Sequence, residues 1–192
     1  MEKPILIYLA AYLAGSINFA IIFFKLTGKA DPRLGFSGNA GTTNVYRQAG
    51  YFWAAVILLL DIGRALSVAA IAMHYLDGRY LPWAGFFLVL GNSFPCFHNF
   101  RGGKGVANFL GFTLLVEPWA AIIAAIMWVL TYGLYRITFV ASFVMVFTLT
   151  LGLAYSNYWG FNAATGSAAT FVLIIFNHRK NIMEHSSSRT AK

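Results

Sequence analysis

Long apolar runs, each close to the length needed to cross a lipid bilayer, dominate this sequence. A membrane-spanning helix needs about 20 mostly apolar residues. Four stretches meet that requirement: Pro4–Phe24, Tyr51–Met73, Leu81–Phe97 and Ile137–Tyr155. A fifth, Gly160–Phe176, is rich in small residues that let helices pack closely. The chain is only 10% charged, whereas soluble domains carry about 25% charged residues. We therefore expect an all-α integral membrane protein with a single domain, residues 1–192.

The region Gly105–Tyr135 is too long for one ordinary span. As a single helix it would extend about 46 Å at 1.5 Å per residue. Glu117-Pro118 interrupts it, because proline ends or kinks a helix and restrains the residue before it. We expect a short helix, Gly105–Val116, that does not span alone, followed by a full-length helix, Pro118–Tyr135. This makes seven transmembrane or intramembrane helices, of which the fourth is short.

The distribution of basic residues decides between six spans and seven. The net charge is +8, from 14 Lys and Arg against 6 Asp and Glu. With seven spans, one face carries Lys25, Lys29, Arg33, Arg47, Arg101, Lys104, Arg136, Arg179, Lys180, Arg189 and Lys192. The other face has Lys3 and Arg79, and Arg64 lies inside the membrane. This asymmetry is typical of a cytoplasmic face, so we predict an outside N-terminus and a cytoplasmic C-terminus.

Three polar segments meet at the cytoplasmic face under this topology. The first polar segment is Phe36–Gly50, the second Gly91–Asn108 and the third Asn177–His185; we expect residues 186–192 to be a frayed tail. Glycines in the first two let backbone N–H groups approach a ligand. Lys104 stands at the start of the fourth helix, where free amides and the helix dipole favour an anion. Arg47 and Arg101 supply guanidinium groups suited to phosphate. The pattern predicts a phosphate site.

Several familiar catalytic patterns are absent from the sequence. Lys104 is followed by Gly105, so the segment is not a Walker A loop. No His has an Asp five residues later, and no Gly-x-Ser-x-Gly elbow occurs. The single cysteine, Cys96, is expected to pack rather than to act as a nucleophile, so we expect no covalent acyl-enzyme. The four histidines are scattered, and no metal site or cofactor is expected.

Three sequence blocks together resemble the bacterial acyl-phosphate:glycerol-3-phosphate acyltransferases, the PlsY family. The blocks are SGNAGTTNVYRQAG, FPCFHNFRGGKGVAN and HRKNI, and the resemblance extends over essentially the whole chain. The sequence departs from the family's common residues at Asn18, where proline is common, and at Asn92, where histidine is common. Arg64-Ala65 likewise replaces a usual Lys-Gly. These departures leave the roles of Asn92 and Arg64 open.

The resemblance implies transfer of a fatty acyl group from acyl phosphate to the 1-hydroxyl of glycerol 3-phosphate. The products would be lysophosphatidic acid and inorganic phosphate, made at the bacterial inner membrane by an active site facing the cytoplasm. The expected partners are the two substrates and membrane lipid, without nucleic acid, and one chain is expected to suffice for function. A small transporter or channel for an anionic metabolite is the alternative, since a broken helix and glycine-rich loops would suit it.

The resemblance and the residue chemistry together give an expected site. The catalytic candidates are Lys104, Arg47, His178 and Asn181. The expected substrate contacts are Ser37, Gly38, Asn39, Gly41, Thr43, Asn44, His98, Arg101, Gly102, Gly103, Gly105, Asn177 and Ser142. The general base is either His178 or a phosphate of the substrate, and which segment holds which phosphate stays open. Asp61 and Arg64, three apart on one helical face, are predicted to form an intramembrane ion pair, with a direct role in the site as the alternative.

Overall fold

The computed structural model of the chain describes residues 2–156 and 160–190. It contains the helices α1 (Glu2–Gly15), α2 (Phe19–Leu26), α3 (Thr42–Ala49), α4 (Tyr51–Tyr75), α5 (Leu81–Ser93), α6 (Val106–Val116), α7 (Pro118–Tyr135), α8 (Thr138–Ser156), α9 (Phe161–Asn177) and α10 (Arg179–Thr190). Short 3-10 helices cover Pro32–Leu34, Gly78–Tyr80 and Cys96–His98. Every regular element within the described residues is a helix, which confirms the predicted helical class.

Four helical segments of the described chain are long and apolar enough to cross a membrane: Lys3–Leu26, Tyr51–Tyr75, Pro118–Tyr135 and Thr138–Tyr155. The chain is therefore a helical membrane protein. Helices α5, α6 and α9 are shorter, at 13, 11 and 17 residues. The number of seven membrane helices and the orientation of the termini stay predictions.

The first apolar segment is not one continuous helix. It divides between α1 and α2 at Ser16–Asn18, where the expectation was an unbroken span from Pro4 to Phe24. The side chain of Asn18 accepts a hydrogen bond from Ile21 N at 3.0 Å. Asparagine is a favoured residue at a helix N-cap because its side chain satisfies a free backbone N–H. Asn18 thus starts a new helix inside the segment.

The third apolar segment ends earlier than expected. Helix α5 stops at Ser93, four residues before the predicted end at Phe97. Pro95 explains the difference, since the residue before a proline avoids the helical region. The chain then turns through Cys96–His98 and enters the glycine run.

Helix α6 lies at the centre of the packing. Phe112 on α6 packs with residues of α1, α4 and α5, such as Ala69 and Leu88. Phe109, also on α6, packs with residues of α7, α8 and α9, such as Leu149 and Ile174. Both phenylalanines are completely buried. This short helix is therefore enclosed by its neighbours, and the residues just before it are carried into the interior.

Helices α1 and α5 approach each other closely through glycine. A Cβ atom on Gly91 would lie 2.0 Å from Tyr12 O, and one on Gly15 would lie 2.2 Å from Leu88 O. Small residues permit such contact between membrane helices. The approach places the break after α1 directly beside the end of α5, where the second polar segment begins.

Candidate active site

Two adjoining cavities lie where the three polar segments meet. The mixed cavity, of about 400 Å³, is lined by polar groups of the first and second polar segments and by apolar side chains of four helices. The apolar lining includes Leu58 of α4, Leu110 of α6, Val129 of α7 and Met145 of α8. The mixed cavity can therefore accept a ligand that is polar at one end and apolar at the other.

The polar cavity is larger, at about 810 Å³, and is rich in cations. Its basic lining residues are Arg33, Arg101, Lys104, Arg179 and Lys180. One carboxylate, Asp31, also lines it and pairs with Arg33. The two cavities share Ser37, Asn39, Gly103, Lys104 and Asn181. Chemistry between a ligand in each cavity would take place at these shared residues.

Lys104 is the cation at the junction. Its Nζ donates a hydrogen bond to Asn181 Oδ1, so the second and third polar segments are joined there. Burial lowers the pKa of Lys104 to about 8; Glu184 opposes the shift and Arg47 adds to it. The ammonium is still mostly protonated at pH 7. Because α6 begins two residues later, the free amides of its first turn add to the attraction for an anion.

His178 lies buried between α9 and α10 and lines the mixed cavity. Its Nδ1 is 2.8 Å from Ile174 O, which fits an Nδ1–H donor and leaves Nε2 as an acceptor. Burial, helped by the charge of Lys104 and opposed by the Ile174 carbonyl, lowers the pKa of His178 to about 4. The imidazole is therefore neutral at pH 7. The sequence showed no carboxylate beside His178 that could fix the tautomer of its ring. In the structure the backbone carbonyl of Ile174 does so instead.

The second polar segment is held mainly by its own backbone. Gly102 N donates to Ser93 O at 3.1 Å and Gly103 N donates to Asn92 O at 2.9 Å. A Cβ atom on Gly102 would lie 2.1 Å from Asn92 O. Any other residue at position 102 would therefore push the backbone of this loop away from α5. The side chain of Asn177 also donates to Ser93 Oγ at 2.8 Å, which attaches the third polar segment to this place.

Side chains of the first polar segment attach it to the turn that precedes it. The buried Asn44 donates through Nδ2 to Pro32 O at 2.6 Å and to Gly35 O at 3.2 Å. Gln48 donates to Pro32 O at 2.9 Å. Both residues lie on α3, so this helix fixes the turn that precedes it.

Arg33, three residues before the first polar segment, attaches that part of the chain to the second polar segment at the edge of the polar cavity. Its Nη1 donates to His98 O at 2.9 Å and to Arg101 O at 2.8 Å. Asp31 holds the other side of the guanidinium, with Nε 2.9 Å from Oδ1. Sequence reasoning used Arg33 for topology alone and did not place it in the site.

The structure brings most of the expected site residues to the two cavities. Asn44 and His98 are missing from the described residues that line them. Asn44 braces the backbone, and the His98 carbonyl accepts a bond from Arg33. The other expected residues line one cavity or both. Ser142 lies at the mixed cavity, where its hydroxyl donates to Thr138 O at 3.0 Å. The functional roles of all these residues stay predictions.

Some lining residues were not among the expected ones. Thr42 lines the mixed cavity, and its Oγ1 is buried without a hydrogen-bond partner among the described residues. Asn92 and Asn108 also line this cavity. All three lie inside the first or second polar segment, so their position in the sequence indicated that they could be near the site. Whether their side chains face the cavity depends on the fold.

The predicted ion pair between Asp61 and Arg64 is confirmed, with Arg64 Nη2 2.8 Å from Asp61 Oδ1. Asp61 lines the mixed cavity. Across residues 2–156 and 160–190, no group of three or more His, Cys, Asp or Glu side chains comes together as a possible metal site.

Comparison with known proteins gives a consistent set of similar sequences. A family model described as glycerol-3-phosphate acyltransferase matches residues 5–187. A Pseudomonas fluorescens protein named glycerol-3-phosphate acyltransferase is 39% identical over 186 residues, which is 96% of each chain. A Pseudomonas aeruginosa protein of the same name is 37% identical over 185 residues, again 96% of each chain.

Two crystal structures are similar in fold. Both are of PlsY, described as an integral membrane glycerol 3-phosphate acyltransferase. The glycerol 3-phosphate form has a TM-score of 0.89 and 31% sequence identity, covering 97% of this chain and 93% of that one. The lysophosphatidic acid form has a TM-score of 0.85 and 30% identity over the same shares.

Proposed function

The chain belongs to the glycerol-3-phosphate acyltransferase family and is an acyltransferase; from this premise we propose that it transfers a fatty acyl group from acyl phosphate to the 1-hydroxyl of glycerol 3-phosphate. The products are lysophosphatidic acid and inorganic phosphate, and the reaction serves phospholipid synthesis. The family relationship favours this enzyme over the transporter that the broken helix and glycine-rich loops also suggested.

The observation that carries the proposal is the meeting of the mixed and polar cavities at Lys104. Acyl phosphate has an alkyl tail and a charged phosphate group, which match the apolar and polar parts of the mixed cavity. In the proposal the alkyl tail lies along Leu58, Leu110 and Val129, and the phosphate group reaches the glycine run. Glycerol 3-phosphate is small and doubly charged, which matches the basic lining of the polar cavity. The acceptor hydroxyl then meets the acyl carbonyl at the shared residues.

The reaction needs positioning and charge stabilisation more than a nucleophile from the protein. The hydroxyl oxygen forms a bond to the acyl carbon, the bond from that carbon to the phosphate oxygen breaks, and phosphate leaves. Lys104 and Arg47 stabilise the negative charge that grows on the carbonyl and on the departing phosphate. Holding both substrates in line supplies much of the remaining acceleration.

The hydroxyl proton moves to a phosphate oxygen of the substrates in this proposal. A neutral His178 with a pKa of about 4 is a weak base, because an efficient general base has a pKa near the working pH. A phosphate monoester, with a second pKa of about 6, is better matched. His178 Nε2 accepts a hydrogen bond from the neighbouring 2-hydroxyl of glycerol 3-phosphate and thereby orients the attacking 1-hydroxyl, whose proton stays free to move to the phosphate.

The proposed site faces the cytoplasm at the inner membrane, and one chain is sufficient. Both cavities are built by the described residues of one chain. The excess of basic residues on the loops of one face supports the cytoplasmic orientation.

A reconstituted assay tests the proposal. Purified protein in lipid nanodiscs is incubated with acyl phosphate and glycerol 3-phosphate, and lysophosphatidic acid and inorganic phosphate are quantified together. We expect equimolar formation that requires both substrates. Acyl-CoA in place of acyl phosphate is the donor control. Folded protein that forms no lysophosphatidic acid, or that moves glycerol 3-phosphate across liposomes without acylating it, would disprove the proposal.

A further inference from the structure

We infer that Arg64, on membrane helix α4, is a positioning residue that holds the first and second polar segments in register. The inference rests on the proposed acyl transfer and adds a residue to it. Arg64 is 8% exposed, and its guanidinium connects the break in the first apolar segment to the ends of α5 and α6.

The first set of contacts closes the break between α1 and α2. Arg64 Nη1 donates to Gly15 O at 3.3 Å and also to Ile17 O. A break in a helix leaves backbone carbonyls without their usual partners. Such groups are costly in a bilayer unless another group satisfies them. Arg64 therefore supplies the hydrogen-bond donors that these carbonyls would have within a continuous helix, and so stabilises the break.

The second set of contacts reaches the residues behind the mixed cavity. Arg64 Nη2 donates to Asn108 Oδ1 at 2.7 Å and to Asn92 Oδ1 at 3.3 Å, besides its ion pair with Asp61 at 2.8 Å. Asp61, Asn92 and Asn108 all line the mixed cavity. One guanidinium thus orients three polar side chains of the lining.

From Asn92 the connection continues to the glycine run. Asn92 O accepts from Gly103 N at 2.9 Å. The side chain of Asn92 also lies against Gly103, since a Cβ atom there would be 2.7 Å from Asn92 Nδ2. Gly103 immediately precedes Lys104, so the position of the junction cation depends on Asn92.

From the helix break the connection continues to the first polar segment. Asn18 Nδ2 donates to Ala40 O at 3.2 Å, and Ala40 N donates to Gly102 O at 3.4 Å. The links therefore form a closed circuit that runs from Arg64 through the break, Ala40, the glycine run and Asn92 back to Arg64. The three sites at which the sequence departs from common family residues, Asn18, Arg64 and Asn92, all belong to this circuit.

An arginine is suited to this role in a way that lysine is not. A guanidinium spreads five N–H donors over a planar fork, whereas an ammonium concentrates three donors at one point. Acceptors on α1, α4, α5 and α6 surround the Arg64 fork. Lysine at position 64 can keep the ion pair with Asp61 but cannot reach the break and the two asparagines at the same time.

The test compares Arg64→Lys, Asn18→Ser and the double variant with wild type. Asn18 is a useful second position because its side chain is at the helix break and serine keeps an N-cap acceptor. Arg79→Lys is the matched control, since Arg79 is exposed and pairs with Asp77 at 3.5 Å. The measurements are the thermal unfolding midpoint in detergent, kcat, the KM of each substrate, and the ratio of acyl transfer to acyl phosphate hydrolysis.

We expect Arg64→Lys to remain folded while kcat/KM for glycerol 3-phosphate falls by about 100-fold, the size expected for a small misplacement of reacting groups. Water should compete better for the misplaced acyl carbonyl, so the hydrolysis fraction should rise. Asn18→Ser should show the same pattern more weakly. The double variant should be little worse than Arg64→Lys, because both changes open one circuit.

A purely structural role would change the unfolding midpoint and leave kcat, KM and the hydrolysis fraction of the folded protein within about twofold of wild type; that result would overturn the inference. If Arg64→Lys fails to fold, Asn18→Ser alone decides on the same criteria. Absence of acyl transfer in both wild type and Arg79→Lys would instead reject the proposed function.

Discussion

The first and second polar segments both contribute glycines and a cation to the site, but they keep their shape by different means. In the first, two side chains, Asn44 and Gln48, bind the backbone of the turn that precedes the segment. The second is braced by backbone hydrogen bonds at Gly102 and Gly103, with no room for a Cβ atom at Gly102. The first should therefore be sensitive to loss of a side chain, and the second to gain of one.

The largest effect should come from adding a methyl group to the second segment. In Gly102→Ala the new Cβ would meet Asn92 O at 2.1 Å, so the backbone before Lys104 must shift. We expect kcat/KM to fall by about 100-fold or more, measured in the reconstituted assay. Gly35→Ala is the matched change in the turn before the first segment, because its Cβ would make ordinary contact with Gln48 at 3.5 Å. Equal activities of the two variants would remove the distinction between the segments.

The next effect separates the cations of the two segments. Lys104 is at the junction and bonded to Asn181, whereas Arg47 is exposed at the mixed cavity. Lys104→Ala should reduce kcat by about 100-fold, which is typical for loss of a group that stabilises transition-state charge. Arg47→Ala should reduce kcat by less, because Arg47 is exposed and water weakens its effect on the growing charge. The reverse order would move the catalytic centre to the first segment.

A third prediction concerns the third polar segment, which is attached to the second. His178→Ala should retain more activity than Lys104→Ala, with a loss of about tenfold, because a neutral imidazole orients the hydroxyl without taking its proton. Initial rates of lysophosphatidic acid formation measure this. His178→Gln, which can keep an acceptor, is the control. A greater loss in His178→Ala than in Lys104→Ala would make His178 the general base.

Loss of a side chain should affect the first segment through stability. Asn44→Ala removes two hydrogen bonds to the turn, those to Pro32 O and Gly35 O, while Gln48 and Gly38 N still donate to these carbonyls. Each lost hydrogen bond contributes about 0.5–1.5 kcal/mol to stability. We expect a lower unfolding midpoint and a higher KM with kcat little changed. Gln48→Ala, which removes one bond to Pro32 O, should have a smaller effect. A fall in kcat for Asn44→Ala without loss of stability would show direct catalytic participation.

The smallest expected effect is a change in how kcat/KM depends on pH. Burial lowers the pKa of Lys104 to about 8, so the charged form is present below that pH and is lost as the pH rises through it. The kcat/KM for glycerol 3-phosphate should therefore fall on the alkaline side of about pH 8. Lys104→Arg, which stays protonated, should move this decline upward, whereas Arg47→Lys should not. An alkaline limb that is identical in all three proteins would exclude Lys104 as its source.

Sequence reasoning reached the helical membrane class, the break at Glu117-Pro118 and the Asp61–Arg64 pair, and most of the residues that it assigned to the site line the cavities. These features follow from local properties: apolar length, proline, and the spacing of charges on one helix. The break at Asn18, the bracing by Asn44 and the bonds of Arg33 depend on which carbonyls another part of the chain presents. Arg33 lies 65 residues from its acceptor His98, and no local pattern reports such a partner.

The interruption between α1 and α2 has a consequence for how the chain enters the bilayer. Gly15 O and Ile17 O receive their donor from a residue that is synthesised 47 or more positions later. Until α4 arrives, the first segment carries bare carbonyls in lipid, and α4 on its own would bring a charged pair into the bilayer at considerable cost. When the two segments associate, Arg64 of α4 satisfies the carbonyls at the break, and those carbonyls in turn bind the Arg64 charge. We therefore expect α1, α2 and α4 to associate with one another during insertion.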